Sequence, residues 1–361
     1  MSLLLSTLRR LFALFTFYVH SIPSRLRTGF INRFGKSFIE IRHADQLGCT
    51  KLAIVALYPR ESIYYSTERL IRGLEANGYH VFLVVNNSKL APVWLRALDT
   101  GKRTILVRNN HGRDFGAYAE GFNFIVKSKK FVEINKIVFC NDSVFYGPRS
   151  KAFISELLFK EGPWISMFLN FQFHLHSQSF FQVFDASIFQ EDFFIKFWKN
   201  YSATNLRHLT INKGEVRLSQ MLLRHNFKPE PFVTAESILE SNNFVEFNEH
   251  ERFSLWCNFG LKVFEDKINN QVNSLMKLQR VFLENNPTHH AGLLASRTLG
   301  APLKLDILRT GLVTVLGVKN TLSLMGCNDL EVKELMNTLV SEGTHASRSG
   351  FTRLWSDYGL V

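Results

Sequence analysis

Cysteine is scarce in this chain. The four present, Cys49, Cys140, Cys257 and Cys327, are widely spaced and form no CxxC pair. That spacing argues against a zinc site and against a disulfide framework, and it fits a reducing compartment. Acid is missing from residues 1–37, where Arg9, Arg10, Arg25, Arg27, Arg33 and Lys36 all precede the first carboxylate, Glu40. A long apolar run is missing there too. The N-terminal stretch Leu11 to Val19 is apolar over about nine residues, whereas a helix that spans a bilayer needs ~20. There is no internal repeat and no low-complexity linker, and the aromatic residues sit mostly in apolar runs rather than interleaved with basic ones. With no recognisable binding module either, a nucleic-acid partner is the weakest of the readings open to a basic protein.

What is present describes a folded protein. The 361 residues are 46 % apolar and 20 % charged, enough for a large core and for one big α/β domain with additions, or two domains. The net charge of +12 points to an anionic partner: nucleic acid, an acidic membrane surface or a phosphorylated substrate. Phe occurs 34 times, more than a core alone requires, so some copies are expected to face lipid or a partner. Residues 1–45 read as a basic, aromatic segment broken at Pro23 that lies on an anionic cytoplasmic leaflet. The alternative is a helix packed on the protein's own surface. A signal peptide is the weaker reading, because no small-x-small cleavage site follows closely and basic residues continue past the apolar run.

From residue 46 the pattern alternates between strand and helix. Lys51 to Tyr58 is a continuous apolar run that predicts a buried parallel strand. Leu70, Ile71 and Leu74 predict a helix over Ser66 to Asn77, stopped by Asn77-Gly78. Further strands are expected at Tyr79 to Val85, Thr104 to Arg108 and Lys136 to Cys140, with a helix over Ala117 to Lys127. This order makes an α/β fold with a mostly parallel sheet, its strand ends gathered on one edge. Residues 165–190 read as short strands and loops, residues 214–226 as a helix, and the region after about 245 as helical and basic.

Polar, glycine-bearing chemistry collects at those strand ends. In Asn109-Asn110-His111-Gly112-Arg113-Asp114-Phe115-Gly116, the glycines permit tight turns and close approach of a diphosphate. A helix starting near Phe115 would aim its N–H groups at that anion, and Arg113 adds a bidentate donor. Asp114 is either a helix cap or a ligand to ribose or base. In Asn141-Asp142-Ser143, Asp142 can bind a divalent ion bridging phosphates, and an Asx-turn is the structural alternative. Alternation places His174, His176 and Gln178 on one strand face, suited to sugar or phosphate hydrogen bonding or to a purely structural role. Glu215 stands at the start of a helix, either as a base for an acceptor hydroxyl or as a charge matched to the helix dipole.

Taken in order, these pieces resemble a GT-A glycosyltransferase of the family-2 type, and more closely the rhamnan-synthesis F family. The residues that carry the resemblance are Asn109-x-x-Gly112-Arg113-Asp114-Phe115-Gly116-Ala117-Tyr118, Asn141-Asp142-Ser143 with Gly147-Pro148, His176-x-Gln178-Ser179-Phe180-Phe181, and Gly214-Glu215-x-x-Leu218-Ser219. Asn286-Pro287-Thr288-His289 and Ala301-Pro302-Leu303-Lys304 are similar to that family's closing segment. The resemblance runs from about residue 50 to about residue 310.

The resemblance implies a GT-A-like (Rossmann-like) sheet flanked by helices over residues 46–245, with a mainly helical C-terminal region over 246–361. It implies an enzyme that moves a sugar, rhamnose from dTDP-rhamnose, to a lipid-linked or growing polysaccharide. Asp142 would hold Mg²⁺ or Mn²⁺ where the family carries Asp-x-Asp, and Glu215 would be the base of an inverting transfer where the family carries Glu-Asp. Tyr58, Asn86, Asn109, Gly112, Arg113, Asp114, Gly116, Asn141 and Ser143 would surround the nucleotide-sugar. Such an enzyme would work in O-antigen, capsule or other lipopolysaccharide synthesis, on the inner face of the cell membrane. Two alternatives stay open: a non-catalytic GT-A-like scaffold of a polysaccharide assembly complex, and another sugar-phosphate activity on the same sheet.

Overall fold

The apolar runs become strands buried on both faces. The computed structural model describes residues 8, 11–23, 26, 38–59, 64–89, 91–171, 174–241, 270–305, 307, 315–342 and 350. Its main sheet contains β1 (Phe38–Arg42), β2 (Lys51–Leu57), β3 (His80–Asn86), β4 (Thr104–Arg108), β5 (Lys136–Asn141), β7 (Trp164–Ser166), β10 (Phe181–Asp185) and β11 (Glu230–Pro231). Their spatial order is β1-β4-β3-β2-β5-β10-β7-β11. The pairs among β2, β3, β4 and β5 are parallel. Only β1 and β10 run against the rest. Two small antiparallel ladders join β6 (Val144–Phe145) to β12 (Leu303–Lys304), and β8 (Leu169–Asn170) to β9 (His176–Ser177).

Alternation along β2 explains why its sequence is apolar throughout. Ala53, Val55 and Leu57 join one core, with Leu70, Ile71 and Leu74 of α2 (Tyr64–Ala76), Trp94 of α3 (Ala91–Leu98) and Phe153 of α5 (Ser150–Phe159). Leu52, Ile54 and Ala56 join the other. There they meet Phe115, Tyr118 and Phe122 of α4 (Arg113–Val126), Trp198 of α7 (Asp192–Lys199) and Leu222 of α9 (Arg217–Arg224). Each large side chain buried this way contributes roughly 1.5–3 kcal/mol relative to exposure. Short helices α6 (Ala186–Phe189), α8 (Arg207–Ile211) and α10 (Ala235–Glu240) complete the sheet's surroundings. Among the described residues, an N-terminal helix α1 covers 11–23. No described helix is long and apolar enough to cross a membrane.

The second core accounts for much of the phenylalanine. Phe115 stacks on Trp198 with centroids 5.6 Å apart, and Phe139 stacks on the same indole at 5.1 Å. Phe122, Phe184 and Phe194 close the cluster. Interlocked rings of this kind contribute beyond their buried area.

Three sequence expectations are revised. The helix expected from Ala117 starts at Arg113, because Gly112 (φ 82°) and Arg113 (φ 56°) turn the chain through the left-handed region directly after β4. The helix expected from residue 214 opens as a π-turn over Asn212–Val216, in which the Arg217 N–H reaches back to the Asn212 carbonyl. Phe38–Arg42, read as part of the N-terminal segment, is strand β1 at the sheet edge. The expected division at 245/246 lies outside the described residues. Beyond it come helices Asn270–Glu284, Pro287–His290, Gly292–Leu299, Val315–Leu324 and Asp329–Glu342, with Leu278, Val281 and Leu294 packed into the first core.

Candidate functional site

The parallel strands β2, β3, β4 and β5 end at one edge, and the strand order reverses at β2, with β3 on one side and β5 on the other. Ligands of open α/β sheets bind in the crevice that such a reversal creates. Asp142 sits there, just past β5. It is buried, and its Oδ2 accepts from the Tyr58 N–H just past β2 at 2.8 Å. The Tyr58 side chain is 39 % exposed at the mouth. Asn141 makes the Asx-turn foreseen as an alternative, its Oδ1 accepting from the Ser143 N–H at 3.0 Å, and its Nδ2 donates to Asp114 at 3.1 Å. The turn and a carboxylate at the crevice therefore coexist.

Because β10 is antiparallel, its start rather than its end lies at this edge, and Phe181 pairs with Cys140. That register places Ser179 between two carboxylates. Its hydroxyl lies 2.9 Å from Asp114 Oδ2 and 2.5 Å from Glu215 Oε1, and its N–H donates to Glu215 at 3.2 Å. One hydroxyl proton can serve only one of these carboxylates at a time. On Glu215's far side, His176 Nε2 stands 3.7 Å from Oε2. His176 Nδ1 donates to the His174 carbonyl at 2.7 Å, which fixes the ring.

The phenol of Tyr201 borders the same carboxylates. Burial pushes it well above the ordinary tyrosine range, and the Asp114 and Glu215 charges add to that. Its buried hydroxyl has no hydrogen-bond partner among the described residues.

The remaining expected residues divide. Asn86 is buried, bridging the Leu57 carbonyl (3.0 Å) and Arg108 (2.8 Å). Asn109 and Arg113 are exposed beside the Gly112 turn. What approaches the glycines is the chain itself: a Cβ at Gly116 would lie 2.3 Å from the His111 carbonyl oxygen, and one at Gly112 would lie 2.5 Å from Ala203 Cβ. The Gly112 N–H donates to Asn205 at 2.6 Å. The supposed common face of His174, His176 and Gln178 does not form, since β9 is only His176–Ser177. His174 is exposed, His176 faces Glu215, and Gln178 donates to Asn286 at 2.7 Å.

Lys304 is the residue whose role the sequence concealed. Its ammonium donates to Ser143 Oγ at 3.1 Å and lies 5.0 Å from the Phe180 ring centroid. It arrives because β12 pairs with β6, setting Lys304 opposite Val144. A positive charge therefore stands beside Asn141-Asp142-Ser143.

Among the described residues, no group of three or more His, Cys, Asp or Glu side chains is arranged to hold a metal ion. Asp142 offers one carboxylate, already accepting from Tyr58. That donor set fits a divalent ion carried on a diphosphate, which brings the remaining oxygens, and does not fit a resident metal.

No protein-family model matches the chain. The uncharacterized protein y4gN of Sinorhizobium fredii (strain NBRC 101917 / NGR234) is 24 % identical over 204 residues, 54 % of this chain and 51 % of that one. The match thus spans about half the length of that curated relative. Among solved structures, the mannosyltransferase PcManGT from Pyrobaculum calidifontis in complex with GDP-Man and Mn2+ is similar at a TM-score of 0.30 and 9 % identity, over 92 % of this chain and 98 % of that one. At that level the similarity carries no weight on activity, and the geometry has to.

Proposed function

We propose that this chain is a glycosyltransferase that moves a sugar from a nucleoside-diphosphate donor to a lipid-linked or growing polysaccharide. One observation carries the proposal. A carboxylate and an ammonium, Asp142 and Lys304, flank the crevice at the sheet's reversal, and a second carboxylate, Glu215, is tied through Ser179 to Asp114 at the same edge. A departing diphosphate is stabilised by the Lys304 ammonium and by a divalent ion that Asp142 could help hold, and deprotonation of an acceptor hydroxyl needs a carboxylate such as Glu215.

In this mechanism the donor diphosphate lies between Tyr58, Asp142 and Ser143. Lys304 neutralises charge on the departing nucleoside diphosphate. A divalent ion held by Asp142 and the phosphates would supply further charge stabilisation. Glu215 takes the proton of the acceptor hydroxyl while the Ser179 hydroxyl turns to Asp114. The acceptor oxygen then forms a bond to the anomeric carbon as the bond from that carbon to the diphosphate oxygen breaks, with inversion. The resemblance to the rhamnan-synthesis F family supports dTDP-rhamnose as donor and a cell-surface polysaccharide as product.

The test is nucleotide release from a panel of nucleotide-sugars, with membrane extract as acceptor and with or without Mg²⁺ or Mn²⁺. Release of dTDP that requires acceptor is expected, and it should fall on the order of a hundredfold or more in Glu215→Gln. Lys304→Ala should lose roughly tenfold to a hundredfold, with Lys304→Arg keeping part of the rate. Folded protein that releases nucleotide from no donor would leave the scaffold reading. The single carboxylate in the metal motif is the observation that favours that second reading.

A further inference from the structure

We infer that α1 docks this protein on an anionic bilayer surface, through an apolar stripe turned away from the protein. Leu11, Phe12, Phe15, Val19 and Ile22 are between 47 % and 68 % exposed. At 100° per residue these positions fall within about 100° of arc, one face of the helix. The opposite face is the one that packs: Ala13, Phe17 and Ser21 are buried. There Ala13 and Phe17 meet Leu206, and the Phe17 ring meets His208 edge-on at 4.9 Å. The outward stripe is therefore surplus to the protein's own packing, because the opposite face of this helix already meets the protein.

Charge complementarity selects the occupant. Residues 11–23 contain no charged side chain, while Arg9 and Arg10 precede them, Arg25 and Arg27 follow, and no acid occurs before Glu40. An apolar stripe bracketed by cations at both ends matches an interface of acyl chains beneath anionic headgroups. The thirteen described helical residues reach about 20 Å, less than the ~30 Å hydrocarbon core, which suits a helix seated along the surface. The docking helix also leans on the segment that carries Glu215, since Leu206 and His208 lead directly into the π-turn. Resting on the transferase proposal, this puts Glu215 within reach of an acceptor anchored in that bilayer.

The experiment is co-sedimentation of the full chain with phosphatidylcholine vesicles, with or without phosphatidylglycerol, at low and high salt. Binding is expected only to the anionic vesicles and should weaken with salt. In Phe15→Asp/Val19→Asp it should fall on the order of a hundredfold, about tenfold per exposed side chain. Both residues are exposed, so the melting temperature should stay unchanged. Full-chain protein left in the supernatant, or a double variant that binds as well as the parent, overturns the inference. So does a dimer, seen by light scattering without vesicles, that the double variant dissolves, because a second copy would then own the face. Nucleotide release onto a detergent-solubilised acceptor extract, with no bilayer present, reports on the transferase proposal separately, so neither failure can be mistaken for the other.

Discussion

Gly214→Ala should loosen the candidate site from the inside. Gly214 is buried in the π-turn, and an added Cβ would lie 2.6 Å from Phe115 Cγ and 2.7 Å from both Cδ atoms. Relief requires the ring to retreat by most of an ångström. It has nowhere to go: Phe115 is 1 % exposed, with Trp198 stacked at 5.6 Å and Tyr201 at 5.7 Å. Overpacking at such a site costs roughly 1–3 kcal/mol. Against it stands the usual advantage of Ala over Gly within a helix, about 0.5–1 kcal/mol. The steric term wins, leaving a net loss of about 1–2 kcal/mol. The damage also reaches the chemistry, because Phe115 follows Asp114 and Gly214 precedes Glu215, the two ends of the Ser179 bridge. Urea unfolding of Gly214→Ala, Phe115→Leu and the double variant closes the cycle. The smaller Leu should absorb the methyl, giving a favourable coupling of about 1 kcal/mol. A Gly214→Ala protein as stable as the parent, or additive effects in the cycle, would refute the contact between the turn and α4.

Tyr201→Phe should leave stability unchanged or raise it by up to about 1 kcal/mol, since the hydroxyl removed is buried without a partner; a loss of similar size would show that the hydroxyl is paired. Burial pushes the Asp99 carboxyl up, but hydrogen bonds from His43, Arg42 and the Gly101 N–H outweigh it and hold the group below its usual value. Its contribution is therefore full above the unfolded carboxyl pKa of ~3.9 and is lost as pH falls through the lower folded value. The urea-midpoint gap between parent and Asp99→Asn should then shrink below about pH 4, and a gap constant to about pH 3 would contradict this. Burial raises the thiols of Cys49 and Cys327 to about 11 and that of Cys140 further. In a Cys257→Ser background, alkylation near pH 8 should accordingly be slow until urea unfolds the chain, and labelling at the rate of free cysteine would count against these placements.

The sheet's centre was legible because its signal is local. Lys51–Leu57, His80–Asn86, Thr104–Arg108 and Lys136–Asn141 are short runs whose interior residues are apolar because they face two layers of helix. β1 was not legible: it lies at the edge, half-exposed, and Phe-Ile-Glu-Ile-Arg carries no such run. The early start of α4 was hidden by Arg113, a residue that seldom adopts positive φ. Asp142 and Glu215 stood out in the sequence because carboxylates at the ends of apolar elements are conspicuous. Ser179 and Lys304 belong to the motifs but carry no role legible in the sequence, because their meaning depends on partners far along the chain: Ser179 acquires it from Asp114, and Lys304 from Ser143. Only the antiparallel entry of β10 and the β6–β12 ladder bring those partners together.

The segment from Thr204 to Val216 joins what the sequence keeps apart. Asn205 holds the Gly112 turn, Leu206 and His208 receive α1, Gly214 abuts Phe115, and Glu215 accepts from Ser179. Two of these contacts, through Gly112 and Phe115, clasp the N-terminus of α4, and the others go to α1 and to the entry of β10. The π-turn is what allows this. Its extra backbone residue turns Glu215 toward Ser179 while Leu218 and Leu222 of α9 keep their places in the core. Restoring a regular α-helical register here would move either the carboxylate or the leucines. The irregular turn thus lets one short helix keep a buried face and still present Glu215, the carboxylate proposed as the base. The face of α1 inferred to meet the bilayer is connected to that carboxylate through the same few residues.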